Sequence, residues 1–294
     1  LVGSEMCIRD SNMINHNGAL TSSQSPVFTA QNRGLLFGDA VFETLRYSQD
    51  HIHFWEDHYF RLMAAMRIFR MDIPMTFTPE FLEQECLRVV QAQSETAPAW
   101  RIRLTVYRKD GGAYLPTTRD VDYVIAAKAL DSEYYLSAEN YKVALFNDYY
   151  LQKSMLSNLK SNNKALQVIG SIFMQEQGFD NGILVNDEKE VVEFLNGNLF
   201  IVEDGKLRTP PISSGCLDGI MRKQIIRIAK KLDISCVEEA ISPFDLQRVQ
   251  ELFMTNAIVG IQPVTSYRRT TYDKSITLKL KQGLFDWVSS NRGA

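Results

Sequence analysis

The sequence lacks several features that would assign it to a common class of protein. It has no apolar run of about 18 residues, so no segment is long enough to span a membrane as a helix. Its formal net charge is -3, without the basic excess of a nucleic-acid-binding protein. Internal repeats and low-complexity tracts are absent too. At 294 residues the chain is long enough for two domains and a sizeable core.

Cysteine is scarce. The four cysteines, Cys7, Cys86, Cys216 and Cys236, lie far apart and form no CxxC pair. Such spacing is typical of free thiols in a reducing cytosol and not of a disulfide framework or a zinc site. The sequence therefore predicts a cytoplasmic protein without a metal site.

Domain organisation follows from where the strand and helix patterns stop. Residues 1–12 have neither pattern and lack the apolar core of a signal peptide, so we expect them to be a leader or sequence scar outside the fold. A polar stretch at 131–140 interrupts the pattern again. We expect a smaller N-terminal α/β domain at 13–130, a linker at 131–140 and a larger C-terminal domain at 141–294.

Hydrophobic periodicity, caps and turn residues predict the individual elements. They are a hairpin at 14–20 that turns at Asn17-Gly18, helices at 55–69, 78–93, 163–177, 219–232 and one opened by Ser242 at 242–246, and strands at 101–108, 121–129 and 251–257.

A lysine in an Asn- and Ser-rich turn is the first candidate for chemistry. Lys160 lies in L-K-S-N-N-K (159–164), at a predicted loop-to-helix junction. A lysine whose pKa is lowered by its surroundings can attack a carbonyl and form an imine. Lys164 is a competing candidate, although the first helical turn disfavours positive charge. A solvated surface lysine is the ordinary alternative.

A carboxylate follows 33 residues later. Glu193 ends a hydrophobic strand in V-V-E-F-L-N-G-N-L-F (191–200). A carboxylate in apolar surroundings needs a cation or a donor, and the ring nitrogen of a pyridine cofactor would be such a partner. The alternative is an edge-strand glutamate that faces water.

Two backbone segments could bind an anion. The glycine-led helix start in G-C-L-D-G-I-M-R (215–222) leaves N–H groups without an intrahelical partner, which makes a phosphate site. The N–H groups concerned are those of Gly219, Ile220 and Met221, with Thr255, Asn256, Ala257 and Ile258 as a further group after the later strand.

Arginines are the candidates for binding anions through side chains. Arg61 lies on a helix that otherwise faces the core, and its guanidinium could form a fork with a phosphate or carboxylate. Arg101 and Arg103 lie on one face of a strand and Arg108 on the other. The sequence leaves open which of these three would clamp a substrate carboxylate.

In combination these motifs resemble the class IV aminotransferases, the fold-type IV family of pyridoxal-phosphate enzymes. That family includes branched-chain aminotransferases, D-amino-acid aminotransferases and aminodeoxychorismate lyases. The resemblance extends from about Met13 to Tyr267. It is carried by R-G-L-L-F-G-D-A-V-F-E-T-L-R (33–46), E-D-H-Y-F-R-L (56–62), L-K-S-N-N (159–163), V-E-F-L-N-G-N-L-F (192–200), G-C-L-D-G-I-M-R (215–222) and T-N-A-I-V-G-I-Q-P-V (255–264).

The resemblance implies an α/β fold in two domains, like that of D-amino-acid aminotransferase, with pyridoxal 5'-phosphate in the interdomain cleft. It implies that Lys160 forms the internal aldimine and acts as general acid and base, and that Glu193 pairs with the pyridine nitrogen. It also implies a homodimer. The remaining cofactor-binding residues would be Arg61, Asn198, Gly219, Ile220, Met221, Asn256, Ala257 and Ile258. The substrate side would be lined by Phe42 with one or both of Arg103 and Arg108.

Several positions depart from the transaminase pattern. Ala165 stands where several transaminases have a tyrosine, Phe194-Leu195-Asn196-Gly197-Asn198 replaces a Gly-Ser-Ser-Ser-Asn run, and Ala257 replaces a threonine. The stretches at 215–222 and 255–257 are closer to the lyase branch, whereas Arg103 and F-E-T-L-R are closer to the transaminase branch.

The function predicted is therefore amino-group transfer between an amino acid, with branched-chain amino acids among the candidates, and a 2-keto acid. The alternative is aminodeoxychorismate lyase activity, which makes 4-aminobenzoate and pyruvate. A binding or scaffold protein that has lost its chemistry is disfavoured because Lys160 and Glu193 are both present. The expected partners are small molecules and a second copy of the chain, without nucleic acid or membrane.

Overall fold

The computed structural model describes residues 12–133 and 135–290. The chain divides into two compact units between residues 133 and 134, called unit 1 and unit 2 below. The residues predicted to be a leader lie almost entirely outside the described part. None of the described helices is long and apolar enough to cross a bilayer.

Unit 1 is a six-stranded antiparallel sheet with helices packed against it. Its strand order is β2-β1-β6-β5-β3-β4, and α2 contacts β3 while α3 contacts β1, β5 and β6. The elements are β1 Met13–His16, β2 Ala19–Ser22, α1 Arg33–Phe37, β3 Ala40–Ser48, β4 His51–Ile52, α2 Trp55–Ile68, α3 Pro79–Gln91, β5 Ala99–Arg108 and β6 Val121–Leu130.

Local sequence explains several boundaries in unit 1. The predicted hairpin is confirmed, because β1 and β2 pair antiparallel across Asn17 and Gly18, both at positive φ as a tight turn requires. The Thr78 hydroxyl accepts a hydrogen bond from the Phe81 N–H at 3.2 Å, and Pro79 is the first residue of α3.

Unit 2 is built on a ten-stranded mixed sheet. The order along its main path is β12-β11-β10-β9-β8-β7-β15-β16, and β13 pairs with β10 and β14. The elements are β7 Lys142–Leu151, α4 Ala165–Glu176, β8 Asn181–Asn186, β9 Val191–Phe194, β10 Gly197–Glu203, β11 Lys206–Thr209, α5 Ile220–Lys231, β12 Cys236–Glu238, β13 Glu251–Asn256, β14 Gly260–Pro263, β15 Ser266–Tyr267, β16 Thr270–Thr271 and α6 Ser275–Ser290.

The prediction of a helix opening at 242–246 is wrong. The structure has only a short 3₁₀ turn at Asp245–Gln247. The Asp245 carboxylate accepts a hydrogen bond from the Ser242 N–H at 3.0 Å, which closes a turn, and β13 starts at Glu251. The segment is therefore too short for a helix.

Helix α6 was not predicted from the sequence. Its first turn is held by Glu251, a residue of β13 that lies 24 positions before Ser275. A cap supplied from so far along the chain is invisible to a local pattern.

Candidate active site

Glu193 lies in the interior of the unit 2 sheet. It belongs to β9, which runs between β8 and β10, and the residue is only 6% exposed. Its cross-strand partners are Leu184 on β8 and Asn198 on β10. The alternative of an edge-strand glutamate that faces water is therefore excluded.

The surroundings of this carboxyl group favour its neutral form. Burial raises the pKa of Glu193 to about 7, although a hydrogen bond from the Leu217 N–H and the charges of Lys164 and Lys160 act in the opposite direction. A carboxyl group in such a place gains from a partner that brings a proton or positive charge. A protonated pyridine nitrogen is a partner of this kind.

Both candidate lysines lie before α4, Lys160 in the preceding loop and Lys164 next to Ala165, the first helical residue. Lys160 and Lys164 are half-buried, and Lys164 occupies the N-cap position of the helix and not its first turn. Between them Ser161 is buried. Because both ammonium groups act on the pKa of Glu193, the structure brings the two lysines and the carboxylate into one electrostatic neighbourhood. The choice between the lysines stays a prediction in favour of Lys160.

The predicted phosphate segment lies directly beside Glu193. Helix α5 begins at Ile220 with Gly219 as its N-cap residue, and Gly219, Ile220 and Met221 are all buried. Among the residues that the structure describes, no side chain caps this helix start. The first N–H groups of a 12-residue helix thus have no partner within the helix and can bind an anion.

Asn198 connects this helix start to the sheet. Its Nδ2 donates to the Leu217 carbonyl at 2.8 Å, and the Leu217 N–H donates to Glu193 Oε2 at 2.9 Å. A Cβ at position 219 would lie 1.8 Å from Asn198 Oδ1, so only glycine allows this approach. Asn198 also pairs across strands with Thr255, whose buried hydroxyl oxygen has no hydrogen-bond partner among the described residues.

The second predicted anion-binding segment is a turn shaped by its own asparagine. Asn256 Oδ1 accepts hydrogen bonds from the N–H groups of Ile258 and Val259, each at 2.9 Å. Its Nδ2 donates to the Asn196 carbonyl at 3.1 Å. The Ile258 N–H is thus engaged within the turn, and Ala257 is half-buried at its tip.

Arg61 belongs to a buried charged cluster in unit 1. Its Nε and Nη2 donate to the two carboxylate oxygens of Glu43 at 2.7 and 2.6 Å. His58 Nδ1 lies 2.7 Å from Glu43 Oε2. Burial would raise the pKa of Glu43, but the charges and hydrogen bonds of Arg61 and His58 outweigh it and hold the pKa well below its usual range. The cluster keeps the guanidinium in one orientation.

Phe42 and Arg103 are brought together in unit 1. The Arg103 guanidinium carbon lies 3.6 Å from the centre of the Phe42 ring, and Arg103 Nε donates to Thr105 Oγ1 at 3.2 Å. A guanidinium held against an aromatic ring keeps its charge and its direction, which suits recognition of a carboxylate.

Arg108 lies in a different network. Its Nε donates to Asp39 Oδ2 at 2.8 Å, and its Nη2 donates to the Phe69 carbonyl at 2.6 Å. Nη1 donates to the Arg70 carbonyl at 3.2 Å. These bonds connect β5 to the end of α2, so the Arg108 guanidinium is engaged in holding the fold together. Arg103 is therefore the better candidate for substrate binding.

Sequence reasoning missed Leu217, Glu43, His58 and the Thr255 hydroxyl. His58 and Arg61 are three residues apart on α2 and so share a face, a spacing that could have indicated a common partner. Leu217 acts through its backbone, which its residue type does not reveal.

The unit 2 residues fit pyridoxal phosphate at its ring nitrogen and at its phosphate. Glu193 is a buried acid suited to a protonated ring nitrogen, and the start of α5 is a glycine-dependent cradle suited to a phosphate. Two lysines near the acid offer an amine for covalent attachment.

Comparison with known proteins agrees with this chemistry. The profile of the family described as Amino-transferase class IV matches residues 40–267. The chain is 30% identical over 277 residues to a putative branched-chain-amino-acid aminotransferase of Methanocaldococcus jannaschii, covering 92% of this chain and 94% of the relative. An aminodeoxychorismate lyase of Vibrio harveyi is 23% identical, covering 80% of this chain and 85% of that protein.

The fold agrees as well. The crystal structure of a branched-chain aminotransferase from Thermoproteus uzoniensis with norvaline superposes with a TM-score of 0.86 at 25% identity, covering 95% of each chain. The α/β fold of the fold-type IV enzymes is therefore confirmed. With a family profile that spans most of the sequence, the chain belongs to the class IV aminotransferase family.

Proposed function

We propose that this chain is a pyridoxal-phosphate-dependent aminotransferase that moves an amino group between an amino acid and a 2-keto acid. The observation that carries the proposal is the buried Glu193 carboxyl group beside Lys160 and Lys164, with its pKa raised to about 7. Branched-chain amino acids are the candidate substrates, because the 30% identical relative bears that name.

Each residue at the site has a definite task in this proposal. Pyridoxal phosphate, when bound, supplies an electron sink for the bonds at the substrate Cα. Glu193 holds the proton of the ring nitrogen, which keeps that sink effective. The Lys160 amine would hold the cofactor covalently, and its Nζ would accept and return the proton of the substrate Cα.

The remaining residues bind and orient. The N–H groups of Ile220 and Met221 hold the phosphate, with the 256–258 turn as a further segment at the site and Arg61 as a charged partner. Gly219 contributes its lack of a Cβ, because its own N–H donates to the Leu217 carbonyl. The Ile258 N–H is likewise engaged with Asn256 within its turn. Phe42 and Arg103 line the substrate side, where Arg103 orients a carboxylate.

Aminodeoxychorismate lyase activity is the second candidate. It is favoured by Ala165 and Ala257, which depart from the transaminase pattern, and by the relative from Vibrio harveyi. Both reactions begin with proton removal by Lys160, and only the transaminase needs a keto acid to complete its cycle.

The first experiment is an absorbance spectrum of the purified protein with pyridoxal phosphate. The visible band of a lysine-linked cofactor should form in the wild type, be lost in Lys160→Ala and persist in Lys164→Ala. Loss in Lys164→Ala with retention in Lys160→Ala would reverse the assignment of the lysines. No band in the wild type would overturn the proposal.

The second step separates the two reactions. Leucine, isoleucine and valine are added singly, without a keto acid. Conversion of the visible band to that of the amine form of the cofactor supports the aminotransferase. A band that no amino acid changes, followed by pyruvate release from 4-amino-4-deoxychorismate, would replace it with the lyase.

We also infer a cytoplasmic homodimer. The described cysteines, Cys86, Cys216 and Cys236, are free thiols, as a reducing compartment favours. Unit 1 exposes a group of large apolar side chains around α1 and the 111–116 loop, which supports association with a second copy. These are Leu35, Leu36, Phe37, Tyr114 and Leu115.

A further inference from the structure

The peptide groups around Leu217 are held from both sides by two residues of the sheet. Glu193 on β9 accepts the Leu217 N–H at 2.9 Å, and Asn198 on β10 donates to the Leu217 carbonyl at 2.8 Å. Glu193 and Asn198 are direct cross-strand partners, so their side chains leave the same face of the sheet. Leu217 is therefore fixed by one rigid pair.

The same clamp determines where α5 begins. The Gly219 N–H donates to the Leu217 carbonyl at 2.8 Å, so this oxygen accepts from both Asn198 and Gly219. The bare Cα of Gly219 lies against the Asn198 amide, as the 1.8 Å separation of a built Cβ from Oδ1 shows. Ile220, the first helical residue, follows at once. The direction of the first N–H groups of α5 thus depends on Asn198.

We propose that Asn198 is a positioning residue that holds the phosphate-binding start of α5 in register with Glu193. The inference rests on the proposed function. It changes the role expected for Asn198, whose amide acts through Leu217 and Gly219 instead of touching the cofactor. Through its side chain, the acid for the ring nitrogen and the N–H groups for the phosphate are held in a fixed position relative to each other.

Removing the Asn198 amide should weaken recognition of the phosphate more than attachment through the lysine. In Asn198→Ala the Leu217 carbonyl loses a donor, and the helix start is free to shift away from the sheet. We expect the affinity for pyridoxal phosphate to fall about tenfold or more, the loss typical of one buried hydrogen bond left unmade. The affinity for pyridoxal, which has no phosphate, should change little.

The test measures dissociation constants of the cofactor-free protein for pyridoxal phosphate and for pyridoxal, from the visible band. The decisive quantity is the ratio of the two affinities. Gln262→Ala is the matched control, because Gln262 is also a buried amide of unit 2 that holds backbone, through Ala138. The ratio should fall about tenfold in Asn198→Ala and stay unchanged in Gln262→Ala.

Other outcomes have distinct meanings. Equal weakening of both ligands in Asn198→Ala would reduce Asn198 to a structural residue and overturn the inference. If Asn198→Ala does not fold, Asn198→Asp decides, because it keeps the shape and replaces the donor by an acceptor facing the Leu217 carbonyl. Calorimetry with inorganic phosphate should show weaker binding to either variant than to the wild type. A wild type that forms no band with pyridoxal phosphate would instead refute the proposed function.

Discussion

At the scale of single residues, Glu193 combines a functional demand with a cost in stability. Its pKa rises from 4.5 to about 7 on folding because the carboxyl group is buried. The unfolded chain ionises this group freely, whereas the folded chain resists ionisation. The stability of the cofactor-free protein should therefore fall as pH rises from about 4.5 through about 7.

Glu193→Gln should remove this pH dependence. Gln is never ionised, and its Oε1 can still accept the Leu217 N–H. A pKa shift of this size corresponds to about 3 kcal/mol, so at pH 8 the cofactor-free variant should be more stable than the wild type by roughly that amount. Urea unfolding followed by circular dichroism at pH 5 and pH 8 measures the difference. A variant less stable than the wild type at pH 8 would contradict the burial argument.

The Glu43 cluster makes stability depend on pH in the opposite direction. Its pKa is lowered by Arg61 and His58, so the stabilisation is present above the ordinary range of a glutamate and is lost as pH falls through the folded-state pKa. Glu43→Gln would remove the buried negative charge that Arg61 and His58 both face. We expect a loss of about 3–5 kcal/mol at pH 7 and a flatter response to acid.

The control is Glu203→Gln, which breaks an ion pair between Glu203 and Arg208 at 2.5 Å, with the Glu203 side chain 39% exposed. Arg208 keeps its pairs with Glu239 and Asp245, and pairs that reach solvent contribute about 0–1 kcal/mol, so this variant should unfold close to the wild type. Similar losses in both variants would mean that the Glu43 cluster is no more important than a surface pair.

At the scale of elements, α6 depends on a single carboxylate from another part of the chain. Glu251 accepts hydrogen bonds from the Ile276 and Thr277 N–H groups at 2.7 and 2.8 Å, and from the Ser275 and Thr277 hydroxyls. A negative charge at a helix start is favourable, and these bonds satisfy N–H groups that the helix itself cannot.

Glu251→Gln should therefore destabilise unit 2 by about 2 kcal/mol, because a neutral amide has one acceptor oxygen where the carboxylate has two. Thermal unfolding and hydrogen exchange of α6 measure the effect, which should appear as faster exchange along that helix. Glu176→Gln, an exposed position at the end of α4, is the control and should change little. Unchanged exchange in α6 would show that packing alone holds the helix.

At the scale of the whole molecule, exposed apolar surface predicts self-association. Tyr114 is 91% and Leu115 85% exposed, and the Tyr114 ring lies 5.7 Å from that of Phe37. Exposed apolar groups that cluster in this way mark interaction surfaces. Sedimentation velocity should give twice the mass of one chain for the wild type, and Leu115→Glu should shift the distribution towards monomer. Met75→Glu changes an exposed apolar residue outside this group and should leave the mass unchanged. A monomeric wild type would remove the dimer from the proposal.

Much of the fold could be predicted because its elements are specified locally. The Asn17-Gly18 turn, the Thr78 cap and the periodicity of 219–232 each act within a few residues, and the structure contains the corresponding elements. The prediction of a helix at 242–246 was wrong because Asp245 closes a turn there. Helix α6 was missed because its cap comes from β13.

The candidate site also has features that the sequence predicts and features that depend on the tertiary structure. Residue type and local sequence context predict Lys160, Glu193 and Gly219 as site residues, since few side chains offer an amine, an acid for a ring nitrogen or a backbone free of Cβ. Which arginine stands beside Phe42 was decided by cross-strand register and by the network that occupies Arg108.

The sequence by itself thus determined the kinds of chemical group, the family and most local elements, because these depend on residue identity and short-range spacing. Tertiary structure decided the burial of Glu193, the clamp of Asn198 on Leu217 and the pairing of Arg61 with Glu43. Each of these joins residues that lie 18 or more positions apart or depends on neighbouring strands, and the pKa of a group follows from what surrounds it in space.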